Sequence, residues 1–387
     1  MENDVEIEIN IKELKVGDYV VCIVKQQGSF HLTSSGHIKN IQVINNLKNK
    51  KVQTLLIDTS KTLQDTPLKA TKSRLTKELK QAKQIFNESK NVQKKVFSQA
   101  LSGATLELAP VVDVCNKSID AIFNNPDSLA CIVNIREKDE YLLEHSVAVS
   151  VYMTLFARYF GFERDIIEKL SVGAFLHDIG KIKIPDEILH KPGKLTDDEF
   201  TIMKTHANHS IDIIKNTPDI SELSLEIAAL HHEKLDGTGY PFQVKAENIN
   251  QYGRMIAICD IFDALTATRV YKKGFSHPKA FAILRELAQQ EHLDVDLVDH
   301  FIKCIGVFPV GSLVQLNSKK LAMIEERNDS NPVKPKVRSF YCVTADGFID
   351  AEEIDLTQAE DAIEKGVCAE EFNLDMNKIV EMLMMDG

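Results

Sequence analysis

The sequence predicts a mostly α protein, a helical bundle flanked by a small β-rich N-terminal domain and a short β-containing C-terminal extension. Three observations lead there. Residues 103–305 carry apolar stripes at helical spacing almost throughout. Residues 5–58 alternate short apolar runs with Gly- and Ser-containing turns, and after Pro309-Val310-Gly311 the rhythm becomes strand-like. A chain of 387 residues is long for one hydrophobic core, so several units are expected. The composition shifts divide it into a small α+β domain over 1–60, a basic helical connector over 61–102, a helical domain over 103–310, and a β-hairpin with an acidic extension over 311–387.

In the first segment, Val20-Val21-Cys22-Ile23-Val24 and Leu55-Leu56-Ile57 read as strands. Gly17-Asp18, Gly28-Ser29 and Ser34-Ser35-Gly36 read as turns, and His37 to Leu47 as a short helix between strands. From Thr71 to about residue 100 there is no Pro or Gly, and Leu75, Leu79, Ile85 and Phe86 set a helical rhythm in a Lys-rich background. That predicts a long, exposed connecting helix.

The bundle follows. An amphipathic stretch opens at Ser118-Ile119-Asp120-Ala121-Ile122-Phe123, and a second runs from Tyr141 to Phe160. Others span Arg164 to Ile179, Asp197 to Lys215 with Thr196 as N-cap, and Ser221 to His231. Arg254 to Thr268, His277 to Glu291 and Asp294 to Ile305 complete the set. Beyond Gly311, Leu313 to Leu316 and Leu321 to Ile324 predict a hairpin, with a further strand pair near 338–350 and acidic helical segments after it.

Composition excludes several function classes. The seven cysteines are scattered, odd in number and form no C-x-x-C pair, which argues against a disulfide framework or thiolate zinc site and for a reducing cytoplasm. Met1 to Asn10 is acidic with no apolar signal core, and no run approaches the ~18 apolar residues of a membrane span, so no membrane insertion is expected. A net charge of −11 argues against DNA or RNA polymers as partners but leaves room for a small anionic substrate. The charge is uneven: residues 61–100 carry ten Lys/Arg against three Asp/Glu, and residues 341–387 two against thirteen. Two solvated helical faces, or segments that touch each other or a partner, both accommodate this.

Chemistry concentrates in the bundle. Six of the twelve histidines fall between 177 and 232: His177, His190, His206, His209, His231 and His232. His177 is followed at once by Asp178, and His231 by His232, each near the end of a predicted helix. Imidazole and carboxylate without thiolate suit Fe, Mn or Zn. Adjacent residues on a helix diverge by about 100°, so a His-Asp pair cannot chelate one ion symmetrically. The carboxylate can instead lie between two ions, the mark of a two-metal site, which activates water and withdraws charge from phosphoryl oxygens. Directly after His231-His232, Asp236-Gly237-Thr238-Gly239-Tyr240-Pro241 cannot continue a helix and must form a tight loop.

The combined motifs resemble the HD-GYP family from about Lys138 to Leu316. His177-Asp178-Ile179-Gly180-Lys181 is similar to its HD signature, and His231 to Pro241 to its GYP signature. Arg254 to Thr266 is similar to its aspartate helix, and Phe308 to Val314 to its closing turn and strand. Residues 5–58 resemble the small domain of unknown function that often precedes such domains. The resemblance implies hydrolysis of a 3′–5′ phosphodiester in a bacterial cyclic dinucleotide second messenger, c-di-GMP first and 3′3′-cGAMP as the alternative. The products would be a linear dinucleotide and mononucleotides after a second cut. A receptor that binds without cleaving is a rival of another class.

Carried over by motif, His145, His177, Asp178 and Asp260 would hold one divalent ion. Asp178 would bridge to a second held by His206, His231 and His232, with Fe or Mn as the metals. Asp178 and Lys181 would be catalytic, and Lys181, Gly239, Tyr240, Arg269 and Lys272 would contact substrate. His190 and His209 fall outside the motifs. Members with a third metal carry Glu four residues before the first ligand His, where Tyr141 stands here, so two ions are expected. Glu140 and Glu144 should point elsewhere. Thr266-Ala267-Thr268 and Val270 replace an acidic residue and a proline frequent in the family, which bears on loop shape and base preference. A protein partner or homo-oligomer through the N-terminal domain is a further expectation.

Overall fold

The computed structural model describes residues 6–15, 18–27, 35–38, 41–61, 68–135, 141–268, 274–328, 330–376 and 378–380. By internal contacts the chain divides into two units, Met1–Leu75 and Thr76–Gly387.

In the first unit, β1 (Glu6–Asn10), β2 (Tyr19–Gln26), β3 (Gly36–His37), α1 (Ile41–Asn49) and β4 (Val52–Asp58) follow in order. The strands form one antiparallel sheet in the order β1-β4-β2-β3. Its core is Ile11, Leu14, Val20, Ile38, Ile44, Leu47, Val52, Leu55 and Ile57. His37 is not the start of the predicted helix. It lies in β3 with its ring edge-on to Tyr19, 4.9 Å between centroids, and the helix begins four residues later.

Helix α2 (Leu68–Ser102) corrects the expectation of an exposed connector. Ala82, Phe86, Val96, Phe97 and Ala100 are buried in the core of the second unit. Lys80, Lys83, Lys94 and Lys95 take the solvent face. The basic composition hid an ordinary amphipathic stripe, and the boundary between units falls inside this helix.

The second unit continues with α3 (Leu108–Asn124), α4 (Pro126–Asn134), α5 (Tyr141–Tyr159) and α6 (Arg164–Leu176). A 3₁₀ turn over Ile179–Lys183 leads to α7 (Asp186–Leu189), α8 (Asp197–Lys215) and α9 (Glu222–Leu230). Then come α10 (Gln251–Thr266), α11 (His277–Gln289) and α12 (Val295–Ile305). Thr196 caps α8 in a full capping box with Glu199, and Ser221, Asn250 and Asp294 accept from the first turns of α9, α10 and α12. Sequence reading missed α4, whose Asn125 cap and Pro126 at the first helical position are its start signals. At the centre, the Phe262 ring lies 5.2 Å from Tyr152 and 5.1 Å from Phe281 and Phe301.

The C-terminal part is a five-stranded antiparallel sheet: β5 (Leu313–Leu316), β6 (Lys320–Glu326), β7 (Lys336–Cys342), β8 (Gly347–Asp355) and β9 (Ile363–Val367), in the order β8-β7-β6-β5-β9. It has its own core around Val314, Ile324, Val337, Phe340 and Leu356. This exceeds the predicted hairpin and strand pair, and much of the acidic stretch read as helical is strand. Glu352 and Glu353 lie exposed on edge strand β8, where charge discourages pairing with other chains. Among the described residues, no helix is long and apolar enough to cross a membrane.

Candidate metal centre

Five helices deliver the site. His145 sits in α5 and Asp260 in α10, while His206 lies midway along α8. His177 is the C-cap of α6 and still helical at φ −51°, but Asp178 leaves the helix at φ −100°, ψ 8°. That break turns the two side chains toward one centre. His231 likewise caps α9, with His232 just outside it. Gly180 lets the 3₁₀ turn press against α8: a Cβ there would lie 2.1 Å from the His206 carbonyl oxygen. Its N–H donates to Ser210 Oγ at 2.8 Å.

The seven side chains converge. Asp178 Oδ2 lies 3.2 Å from His145 Nε2 and 3.4 Å from His177 Nε2. Its other oxygen, Oδ1, lies 3.3 Å from His206 Nε2 and 3.8 Å from His231 Nε2. Asp260 adjoins both halves, with Oδ1 3.0 Å from His145 Nε2 and Oδ2 3.5 Å from His232 Nδ1. Two overlapping groups could each hold a metal ion: His145, His177 and Asp178, and Asp178, His206, His231 and His232. Asp178 belongs to both. His190 and His209 belong to neither.

Four of the five imidazoles are held by their far nitrogens. His177, His206 and His231 place Nδ1 2.6 Å from the carbonyl three residues back in their own chain, at Ala174, Met203 and Ala228. His145 Nδ1 instead meets Asp263 Oδ2 at 2.7 Å. Each Nε2 is thereby aimed inward. The Nε2 atoms of His177 and His231 and Oδ1 of Asp178 are buried and make no hydrogen bond. Unsatisfied buried polar atoms are costly, and three converging on one centre fit the missing partner being a cation.

Electrostatics prepare the same state. Burial pushes the Asp178 carboxyl up, but Lys181 and then His177 outweigh it and hold it well below the usual carboxylate range. Asp260 is held low against burial by its contacts with His145 and His177. Burial, then the neighbouring His232 and His177, push His231 well down, and burial drives His232 to about 3. Ionised carboxylates and neutral imidazoles are the forms that bind metal. Lys181 Nζ donates to Asp178 Oδ2 from the 3₁₀ turn, adding a cation at the edge.

The loop after His232 folds over the centre. Buried Glu233 accepts N–H bonds from Phe242 at 2.7 Å, Gln243 at 3.1 Å and Val244 at 3.2 Å. Tyr240 N–H donates to the His232 carbonyl at 3.2 Å. A Cβ on Gly239 would lie 2.5 Å from Glu233 Cα, so only glycine lets the loop double back. The Tyr240 ring lies 4.6 Å from His232 and 6.1 Å from His206, and burial pushes its hydroxyl pKa up.

Arg269 and Lys272 lie outside the described residues, as do Glu140 and the side chain of Tyr141. Glu144 pairs with Lys90 on α2, whose Nζ lies 2.8 Å from its Oε1. Sequence reading gave no role to Asp263 or Glu233. Asp263 stands three residues after Asp260 on α10, a spacing that puts both on one helix face.

Helices that bury a histidine–aspartate cluster in this order define a metal-dependent hydrolase of the HD type. A model described as HD domain matches residues 130–297, and one described as a domain of unknown function, DUF3391, matches 6–111. The cyclic di-GMP phosphodiesterase PA4108 of Pseudomonas aeruginosa is 33% identical over 74% of this chain and 68% of its own. A cyclic di-GMP phosphodiesterase of Vibrio cholerae is 39% identical over 52% of this chain and 42% of its own. The 3′3′-cGAMP-specific phosphodiesterase 2 of the same organism is 35% identical over 49% of this chain and 35% of its own. The chain therefore spans less than half the length of the latter two. Bd1817, an HDGYP-type protein from Bdellovibrio bacteriovorus, superposes with a TM-score of 0.49 at 18% identity over 76% of this chain and 98% of its own. The chain belongs to the HD-GYP family of HD-domain hydrolases, with a DUF3391 domain at its N-terminal side.

Proposed function

We propose that the protein hydrolyses a 3′–5′ phosphodiester of a cyclic dinucleotide, c-di-GMP foremost, to the linear dinucleotide and then mononucleotides. The observation that carries this is the double facing of Asp178, one oxygen toward His145 and His177 and the other toward His206 and His231. That arrangement suits two divalent ions, Fe or Mn by the character of the donors. His145, His177, Asp178 and Asp260 would hold one, and Asp178, His206, His231 and His232 the other. Bound there, the ions would supply Lewis acidity to the phosphoryl oxygens and lower the pKa of a water. The chain's residues do the rest. Lys181 offsets charge as it builds on the phosphate, and the Tyr240 ring closes the centre from the loop side. Arg269 and Lys272 are assigned to the phosphates by the family motif.

The names of the relatives support this substrate class, and they also favour a second reading, 3′3′-cGAMP. Cytoplasmic location is supported by seven cysteines that all stand as free thiols. Rates on c-di-GMP and 3′3′-cGAMP, measured side by side with metal-loaded protein and with Asp178→Ala, test the proposal. Turnover of at least one substrate, abolished in the variant, is expected. Equal rates for both proteins would sink it.

A further inference from the structure

Beside the centre lies an aromatic surface that the reading above does not use. Phe200, in the first turn of the capped helix α8, leaves 47% of its surface exposed. Its ring stands edge-on to Tyr240 at 6.5 Å, and Tyr240 in turn packs on His232 and His206. Phe200 is thus one ring removed from the candidate ligands. Along α8 it lies six residues before His206, about 9 Å of helix rise.

One helical turn on, Lys204 places Nζ 5.3 Å over the Phe200 ring. It makes no ion pair with the described residues. An ammonium with no ion pair among the described residues, beside a half-exposed aromatic ring, is the pairing that single-stranded nucleotides use, a cation for the phosphate and a ring for the base.

We propose that Phe200 and Lys204 form a nucleotide ledge beside the metal centre. The Phe200 ring stacks on one purine of the bound cyclic dinucleotide, and the Lys204 ammonium contacts its phosphate. The inference rests on the proposed substrate class and adds the residues that bind the base. Every purine offers a π face, so the ledge binds guanine and adenine alike and does not choose between c-di-GMP and 3′3′-cGAMP.

The test uses manganese-loaded full-length protein and a phosphorothioate cyclic dinucleotide that resists cleavage and carries 2-aminopurine at one base. Stacking quenches this fluorophore. Wild type should bind with quenching, and Phe200→Tyr should do the same. Phe200→Leu should lose about 5- to 100-fold in affinity and most of the quenching, with metal content and Tm unchanged because the side chain is exposed. If wild type binds and Phe200→Leu binds and quenches equally, the ledge is overturned and the substrate class stands. If wild type binds no cyclic dinucleotide at all, both fall.

Discussion

Asp263 Oδ2 and His145 Nδ1 lie 2.7 Å apart, both buried, in a helix pair whose other contacts at this level lead to the metal centre. A carboxylate fixes the proton on Nδ1 and leaves Nε2 as the ligand atom. The three imidazoles held by their own helix carbonyls have no such partner. Asp263→Asn keeps the shape but offers an N–H in place of an oxygen and so favours the wrong tautomer. It should weaken metal binding on the His145 side by about 10- to 100-fold while the His206 side fills normally. Metal titration followed by elemental analysis checks this. Unchanged affinity at both positions would contradict it.

The candidate ligands were unequally legible: two neighbouring pairs stand out in the sequence, whereas His145, His206 and Asp260 came only through the family resemblance. His177-Asp178 and His231-His232 stand at helix ends, where consecutive side chains can turn to one point. Asp263 was not legible, because a supporting carboxylate differs from a surface one only in what it faces. Phe200 was hidden for a related reason: an exposed aromatic has the same helical spacing as a buried one. Helix α2 misled through composition, since its lysines flank a buried stripe. The strand β9 is only five residues long and carries two charges, so its pairing beside β5 depends on partners distant in sequence.

Glu233 is expected to govern the loop and not the metals. Its carboxylate gathers three backbone N–H groups from 242–244 and shapes the turn that carries Tyr240. Glu233→Gln retains an acceptor but sets an NH₂ group against at least one of those donors. Charge-assisted bonds to buried groups are worth roughly 1.5–3 kcal/mol. The variant should raise KM several-fold and lower Tm while still binding its full metal complement. Steady-state kinetics with elemental analysis separate these effects, and loss of metal with unchanged KM would contradict the assignment.

The pH dependence of the metal-free protein follows from the buried set. His231 and His232 have pKa values lowered by folding, from about 6.5 in the unfolded chain, with His232 reaching about 3. Between those values the unfolded chain binds more protons, so stability falls as pH falls. Asp178 and Asp260, also lowered, add a loss in the same direction below about pH 4. The Tm of metal-free protein should therefore drop from pH 7 to pH 5. His231→Gln should flatten part of that slope. A Tm that is constant or rises on acidification would contradict these directions.

A bridging Asp178 is tested most directly by metal content and magnetic coupling in one sample. Protein purified without oxygen and loaded with manganese should contain two ions per chain. Its electron paramagnetic resonance spectrum should be that of an exchange-coupled pair, and Asp178→Ala should lose the coupling. One ion per chain, or two ions with an uncoupled spectrum that Asp178→Ala leaves unchanged, would contradict the two-metal centre.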